Sequence, residues 1–183
     1  MVGKLSCFLF GLLLISCNPY DQYSLTHYFI QAEVDPSTAL LSANVQMVLV
    51  ARREYHDSIC FNLNTGLEIQ ALTAQELKHY DFYKSESGRL VLYIQDPVFP
   101  NDQLHISMSY SGRLAGQEVL NLDSSLLWYP SNEDTKPCTY LAKIALPGSW
   151  QIIQPEVSTG KHGKFLVQNQ NPQDFIDIVF ATN

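Results

Sequence analysis

Leu40-Leu41-Ser42-Ala43-Asn44-Val45-Gln46-Met47-Val48-Leu49-Val50 decides the fold class. Leu41, Ala43, Val45, Met47 and Leu49 alternate with Ser42, Asn44 and Gln46, and alternation over that length marks a strand with one face in a core. The same period spreads in both directions. Upstream, Tyr28, Ile30, Ala32 and Val34 alternate with Phe29, Gln31 and Glu33 before an Asp35-Pro36-Ser37 turn. Downstream come Ile59, Phe61 and Leu63, then Leu67, Ile69 and Ala71 after Asn64-Thr65-Gly66, and Leu90, Leu92 and Ile94 after Ser87-Gly88. Leu104, Ile106, Met108 and Tyr110 alternate with His105, Ser107 and Ser109. Short strands of this kind, divided by Pro, Gly, Asn and Asp turns, point to an all-β antiparallel sandwich. Its expected inward side chains are Tyr28, Ile30, Val45, Met47, Phe61, Leu92, Ile106 and Met108. Further strands are expected at 140–146, 151–153, 164–168 and 175–180. Gly112 to Leu127 has no clear period and reads as a long connection. Thr73 to Tyr80 reads as about two turns of helix.

The N-terminus carries a different signal. Lys4 precedes an apolar run from Leu5 to Ile15, too short for a permanent span of about 20 apolar residues. A basic start, an apolar centre and a small residue before the break form a secretory leader. Leu14-Ile15-Ser16-Cys17 resembles the bacterial lipobox, in which the Cys becomes the acylated first residue of the mature chain. More than one acyl chain on Cys17 suffices for stable anchoring. The expected organisation is a leader at 1–16, a lipidated tether at 17–25 and one β-sandwich at 26–183. The expected location is the bacterial cell envelope: the outer membrane of a Gram-negative cell, facing the periplasm or the surface.

Removing 16 of 183 residues leaves 167, enough for one domain with a proper core. Lys4 leaves with the leader, so 10 basic residues face 18 acidic ones, a net charge of −8. That balance argues against nucleic acid, which requires clustered Lys and Arg. Cys7 falls in the leader. Cys60 and Cys138 remain in an oxidising compartment, either as a disulfide or as two separate buried thiols. Two isolated Cys do not make a zinc site, and no metal or other cofactor is expected. No Ser sits in a Gly-x-Ser-x-Gly elbow. His105 on the polar face of its strand reads as a solvated side chain. Glu133-Asp134, in a polar run, reads as part of an exposed loop.

The order of strands resembles the N-terminal β-sandwich of the M1 family of zinc aminopeptidases. Tyr28 to Pro36 followed by Leu40-Leu41-Ser42-Ala43 is similar to its opening hairpin, and Phe61-Asn62-Leu63 with Leu67-Glu68-Ile69 to its next pair. Leu104 to Leu114 resembles the strand that carries its Tyr-x-Gly signature, here Tyr110-Ser111-Gly112. Trp128-Tyr129-Pro130 and Ala145-Leu146-Pro147-Gly148-Ser149-Trp150 resemble its later markers. The likeness runs from about Thr26 to Asn183.

In those enzymes a zinc-bearing thermolysin-like domain follows. This sequence has no His-Glu-x-x-His, the spacing that sets two imidazoles on one metal, and no Gly-x-Met-Glu-Asn strand. The resemblance therefore implies the fold without aminopeptidase activity. The family's N-terminal domain also lends a Gln or Glu that holds the substrate's amino terminus, and Glu118 or Asp123 stands at the matching place. If the catalytic domain's contact face is uncovered here, Leu126, Leu127, Trp128 and Tyr129 are expected on it, with Glu118 or Asp123 as a polar rim; the other reading of Trp128 is a plug at the end of the sandwich. The expected function is a non-enzymatic envelope lipoprotein that binds another envelope protein or a peptide. The alternative is the accessory half of a split M1-type zinc aminopeptidase whose catalytic domain is a separate chain.

Overall fold

A computed structural model describes residues 23–52, 58–115, 121–131, 137–155, 163–173 and 175–182. The hairpin read from the sequence is its centre. β1 (Tyr23–Asp35) and β2 (Leu40–Ala51) pair antiparallel, with Tyr28 opposite Met47 and Ile30 opposite Val45. Asp35 closes the turn by accepting hydrogen bonds from the Ser37 amide at 3.0 Å and hydroxyl at 2.6 Å. Such side-chain-to-backbone bonds are what make Asp a turn residue. β1 begins at Tyr23, which is buried and faces Ala51, so residues 23–25 of the expected tether belong to the domain.

The remaining elements are β3 (Ser58–Asn62), β4 (Leu67–Ala74), β5 (Tyr80–Lys84), β6 (Arg89–Ile94), β7 (Gln103–Arg113), β8 (Cys138–Ala145), β9 (Trp150–Gln154), β10 (Lys164–Gln173) and β11 (Val179–Thr182). A six-stranded sheet runs β10-β8-β1-β2-β7-β4, and its β1–β8 neighbours are parallel. A three-stranded antiparallel sheet, β3-β6-β5, and a two-stranded pair, β11-β9, complete the fold. The inner face of the large sheet and the inward residues of β3 and β6 form one core. It contains Ile30, Val45, Met47, Phe61, Leu92 and Ile106, all at most 1% exposed, with Tyr28 and Met108 at 2%. All eight expected inward residues are inside. Each such side chain contributes roughly 1.5–3 kcal/mol by leaving water.

Thr73 to Tyr80 is not helical. Thr73 and Ala74 still belong to β4, opposite Ser107 and Ile106, and a turn leads to β5 at Tyr80. Two His–carboxylate contacts hold this connection. His105 Nδ1 lies 2.5 Å from Glu76 Oε1, and His79 Nδ1 lies 2.9 Å from Asp96 Oδ1. His105 is thus exposed and in contact with Glu76, as a side chain on the polar face of its strand can be.

Asp96 also accepts from the backbone amides of Lys78 and His79. The His79 side-chain hydrogen bond, reinforced by these amides, holds its carboxyl at about 2, below the ordinary 3.8. A depressed folded-state value stabilises the protein above the unfolded value, and that contribution is lost as pH falls through the folded one. The urea midpoint of Asp96→Asn should therefore lie below wild type at pH 6, and the gap should close between pH 4 and 2. A gap of constant size across that range would remove Asp96 from the pH dependence.

Candidate functional site

The segment from Asn121 to Ser131 carries Asp123, Leu126, Leu127, Trp128 and Tyr129 of the expected binding face. It is instead sewn into the core from three directions. From the large sheet, the Tyr110 hydroxyl donates to the Trp128 carbonyl at 2.9 Å and the Tyr28 hydroxyl to the Pro130 carbonyl at 2.5 Å. From the turn before β4, the Asn64 amide nitrogen donates to the Leu127 carbonyl at 2.9 Å and its side-chain Nδ2 to the Leu126 carbonyl at 2.8 Å. From the C-terminal region, the Ile176 carbonyl accepts from Trp128 Nε1 at 3.1 Å, and Leu122 exchanges backbone hydrogen bonds with Ile178. Asn64 is buried, and its Oδ1 also accepts from Gly66 and Ala115 amides at 3.0 Å each. A buried amide is tolerated when its groups are satisfied in this way.

This geometry corrects the expected binding face. Trp128 is fully buried, Tyr129 is 3% exposed and Leu126 8%, so all three are core residues. Tyr129 stacks edge-on against Trp128 at 5.0 Å and Tyr28 at 5.3 Å, the aromatic arrangement favoured by ring quadrupoles. Leu127 adopts φ +51° as it ends the short 3-10 turn Ser124–Leu126. Asp123 starts that turn, its Oδ1 accepting from the Ser125 amide at 2.9 Å, so its carboxylate serves as a local cap. Glu118, like Cys17 and the Glu133-Asp134 pair, lies outside the described residues.

The buried tyrosines do not offer acid–base chemistry. Burial pushes the Tyr28 and Tyr110 hydroxyls far above their ordinary value and Tyr129 to about 12. All three stay protonated, as their roles as donors to carbonyls or as buried hydroxyls require. Cys60 and Cys138 are both buried, at 5% exposure each. Among the described residues, no three His, Cys, Asp or Glu side chains converge to hold a metal ion.

The exposed aromatic surface lies on the three-stranded sheet. Alternation puts Leu90, Leu92 and Ile94 in the core, which leaves Val91 and Tyr93 on the other face. Register sets Tyr83 opposite Val91 and Asp81 opposite Tyr93 on that outer face. Tyr83 is 58% exposed, Tyr93 38%, and Phe82, on the edge strand, 37%. Hydrogen bonds from the Gln95 amide to His79 and from the Ser85 amide to Arg89 fix the ladder phase. Antiparallel alternation then turns the backbone groups of Tyr80, Phe82 and Lys84 away from β6, toward the open edge. Asp81 Oδ1 accepts from the Phe82 amide at 2.8 Å and covers one of them. Sequence reading missed this surface, although the alternation of Leu90, Leu92 and Ile94 already placed Tyr93 outside.

No family model and no curated protein matches the sequence. Solved structures do resemble the fold. The M1 zinc metallopeptidase from Deinococcus radiodurans superposes with TM-score 0.70 at 16% identity, over 87% of this chain and 42% of that one. Yeast LTA4 hydrolase in complex with bestatin gives TM-score 0.61 at 13% identity, over 90% of this chain and 29% of the other. The chain thus spans less than half the length of these enzymes. The identities are too low to carry more than architecture. What this chain shares with them is the β-sandwich of the M1 peptidase N-terminal domain.

Proposed function

We propose that this chain is a lipid-anchored bacterial envelope protein that presents its β-sandwich, without catalysis of its own, to another envelope protein or a peptide. The observation that carries this reading is the exposed outer face of β5 and β6, with Tyr83 and Tyr93 on it, beside an open strand edge at which Phe82, on the opposite face, is also exposed. Exposed edges are templates for an added strand, and such pairing takes its affinity from backbone hydrogen bonds and its specificity from alternate side chains. Tyr is also a frequent binding hot spot. The anchor follows from Leu14-Ile15-Ser16-Cys17.

The second reading is the accessory half of a split M1-type zinc peptidase. The β-sandwich it shares with the Deinococcus radiodurans M1 zinc metallopeptidase, at TM-score 0.70, supports it. In that case the occupant of the aromatic face is a separate zinc-bearing chain.

One experiment addresses anchor and face together. Membrane-extracted wild type should show, by intact mass, cleavage before Cys17 and three acyl chains in a Gram-negative host. Site-directed cross-linking from position 83 should give a discrete adduct that disappears in Phe82→Asp/Tyr83→Asp, a variant expected to fold because both residues are exposed. A zinc-peptidase adduct selects the second reading. An unacylated, soluble chain with no adduct at position 83 overturns both.

A further inference from the structure

We propose, on the reading that Cys17 carries lipid, that the turn at 99–102 is a second membrane contact, which seats Phe99 in the headgroup boundary of the same bilayer. The strand register shows which end of the domain the anchor reaches. β1 starts at Tyr23, opposite Ala51 at the end of β2. On its other side Ala51 is clasped by this turn: its amide donates to the Asp102 carbonyl at 2.9 Å, and its carbonyl accepts from the Asn101 amide at 2.8 Å. Tyr23 and Asp102 thus flank one residue, two strand spacings or about 10 Å apart. Cys17 lies six residues before Tyr23, a reach of at most about 22 Å when fully extended. Chain length alone keeps this turn at the lipid-proximal end of the domain.

The turn presents Phe99 rigidly. Val98, one residue before it, is 2% exposed and fixes the segment to the core, whereas Phe99 is 51% exposed. The Phe99 carbonyl accepts from the Asp102 amide at 3.0 Å, and the Phe99 amide donates to Asp102 Oδ2 at 2.8 Å. Pro100 and Asn101 occupy the centre, with Asn101 at φ +72°, the pattern of a type II turn. A proline at that place restricts the backbone, so the ring is displayed with little conformational freedom left to lose on burial. Pro97 and Pro100 are exposed beside it and extend the apolar tip.

The surroundings select a lipid surface as the occupant. One ring between two prolines is a small patch beside a stable protein interface, which buries about 800 Å² on each side. A membrane contact needs no such area here, because the acyl chains already hold the protein at the surface and the ring has only to orient it. The nearby carboxylates are engaged: Asp102 accepts from the Phe99 amide, and Asp96 is in contact with His79. Two cations are exposed at the same end. Arg52 follows Ala51, and Lys78 donates its amide to Asp96, two residues before Val98. Lipid phosphates attract cations so placed.

The test is fluorescence of the full-length acylated chain in phosphatidylethanolamine–phosphatidylglycerol vesicles, with and without phosphatidylcholine brominated near the top of its acyl chains. Phe99→Trp adds an indole at the tip. Leu40→Trp adds one at the other end of β2, about 35 Å along the strand. Both positions are half exposed, and thermal unfolding checks that the variants fold. The emission that Phe99→Trp adds to wild type should shift to the blue and fall by about half in the brominated vesicles, since ring and bromines share roughly the outer 5–10 Å of the apolar layer. The emission added by Leu40→Trp should not change. Vesicle flotation and intact mass report the anchor separately. A floating, acylated chain in which Phe99→Trp is quenched no more than Leu40→Trp overturns the docking and leaves the anchor standing. A chain that carries no acyl group and does not float overturns both.

Discussion

Trp128→Ala is expected to destabilise the domain by about 3–5 kcal/mol, the range for a buried Phe or Trp truncation. The indole is fully buried, and its Nε1–H donates to the Ile176 carbonyl at 3.1 Å. Removing it leaves a cavity beside Tyr129 and strips that buried carbonyl of its donor. A small domain holds about 5–15 kcal/mol in total, so the urea midpoint should fall by a large fraction with the slope unchanged. Trp128→Phe separates the two contributions, because it keeps most of the apolar volume and loses the donor. Its cost should be the smaller of the two. Tyr83→Ala, on the exposed face, should stay within about 0.5 kcal/mol of wild type. A Trp128→Ala protein as stable as wild type would mean the indole is not in the core.

Of the two roles open to Trp128 in the sequence, anchor on an uncovered face or plug of the sandwich, burial selects the second, and the reason the sequence left both open is physical. Leu126-Leu127-Trp128-Tyr129 has no period, and an aperiodic apolar run fits a covered core and an uncovered interface equally well. What buries it are hydrogen bonds from Tyr28 and Asn64, 102 and 62 residues away for their contacts at Pro130 and Leu126. No local pattern encodes such partners. The strands were legible because period-two alternation is local, and it placed Met47 and Ile106 inside without knowledge of their neighbours.

The segment from Thr73 to Tyr80 failed for a related reason. Gln75-Glu76-Leu77-Lys78 favours a helix, but propensity is a weak prior. Pairing of Thr73 and Ala74 with β7 outweighed it, with Leu72 and Leu77 buried at either end. The aromatic face around Tyr83 was half legible. Alternation in β6 placed Tyr93 outside, while Tyr83 required the β5–β6 register.

The Tyr-x-Gly element yields the second large effect. Tyr110 uses its hydroxyl to hold the Trp128 carbonyl, and Gly112, two residues on and so on the same face of β7, lies against Gly66. A Cβ on Gly66 would sit 1.9 Å from the Arg113 carbonyl oxygen, and one on Gly112 would sit 2.0 Å from the Gly66 oxygen. Both obstacles are backbone, so no side chain can rotate away. Gly66→Ala and Gly112→Ala should each force β4 and β7 apart where Leu67 faces Gly112, at the upper end of the ~1–3 kcal/mol for overpacking or above it. Gly148→Ala provides the contrast. Its φ is +57° but its Cβ would meet nothing within 4 Å, so only the left-handed backbone cost of roughly 1–2 kcal/mol applies. The double variant Gly66→Ala/Gly112→Ala decides whether the two glycines serve one contact. Once the first methyl has separated the strands, the second meets less resistance, so the pair should cost clearly less than the sum of the singles. Strict additivity in urea unfolding would show that each glycine meets its own independent obstacle, and single variants as mild as Gly148→Ala would show that the strands do not approach this closely.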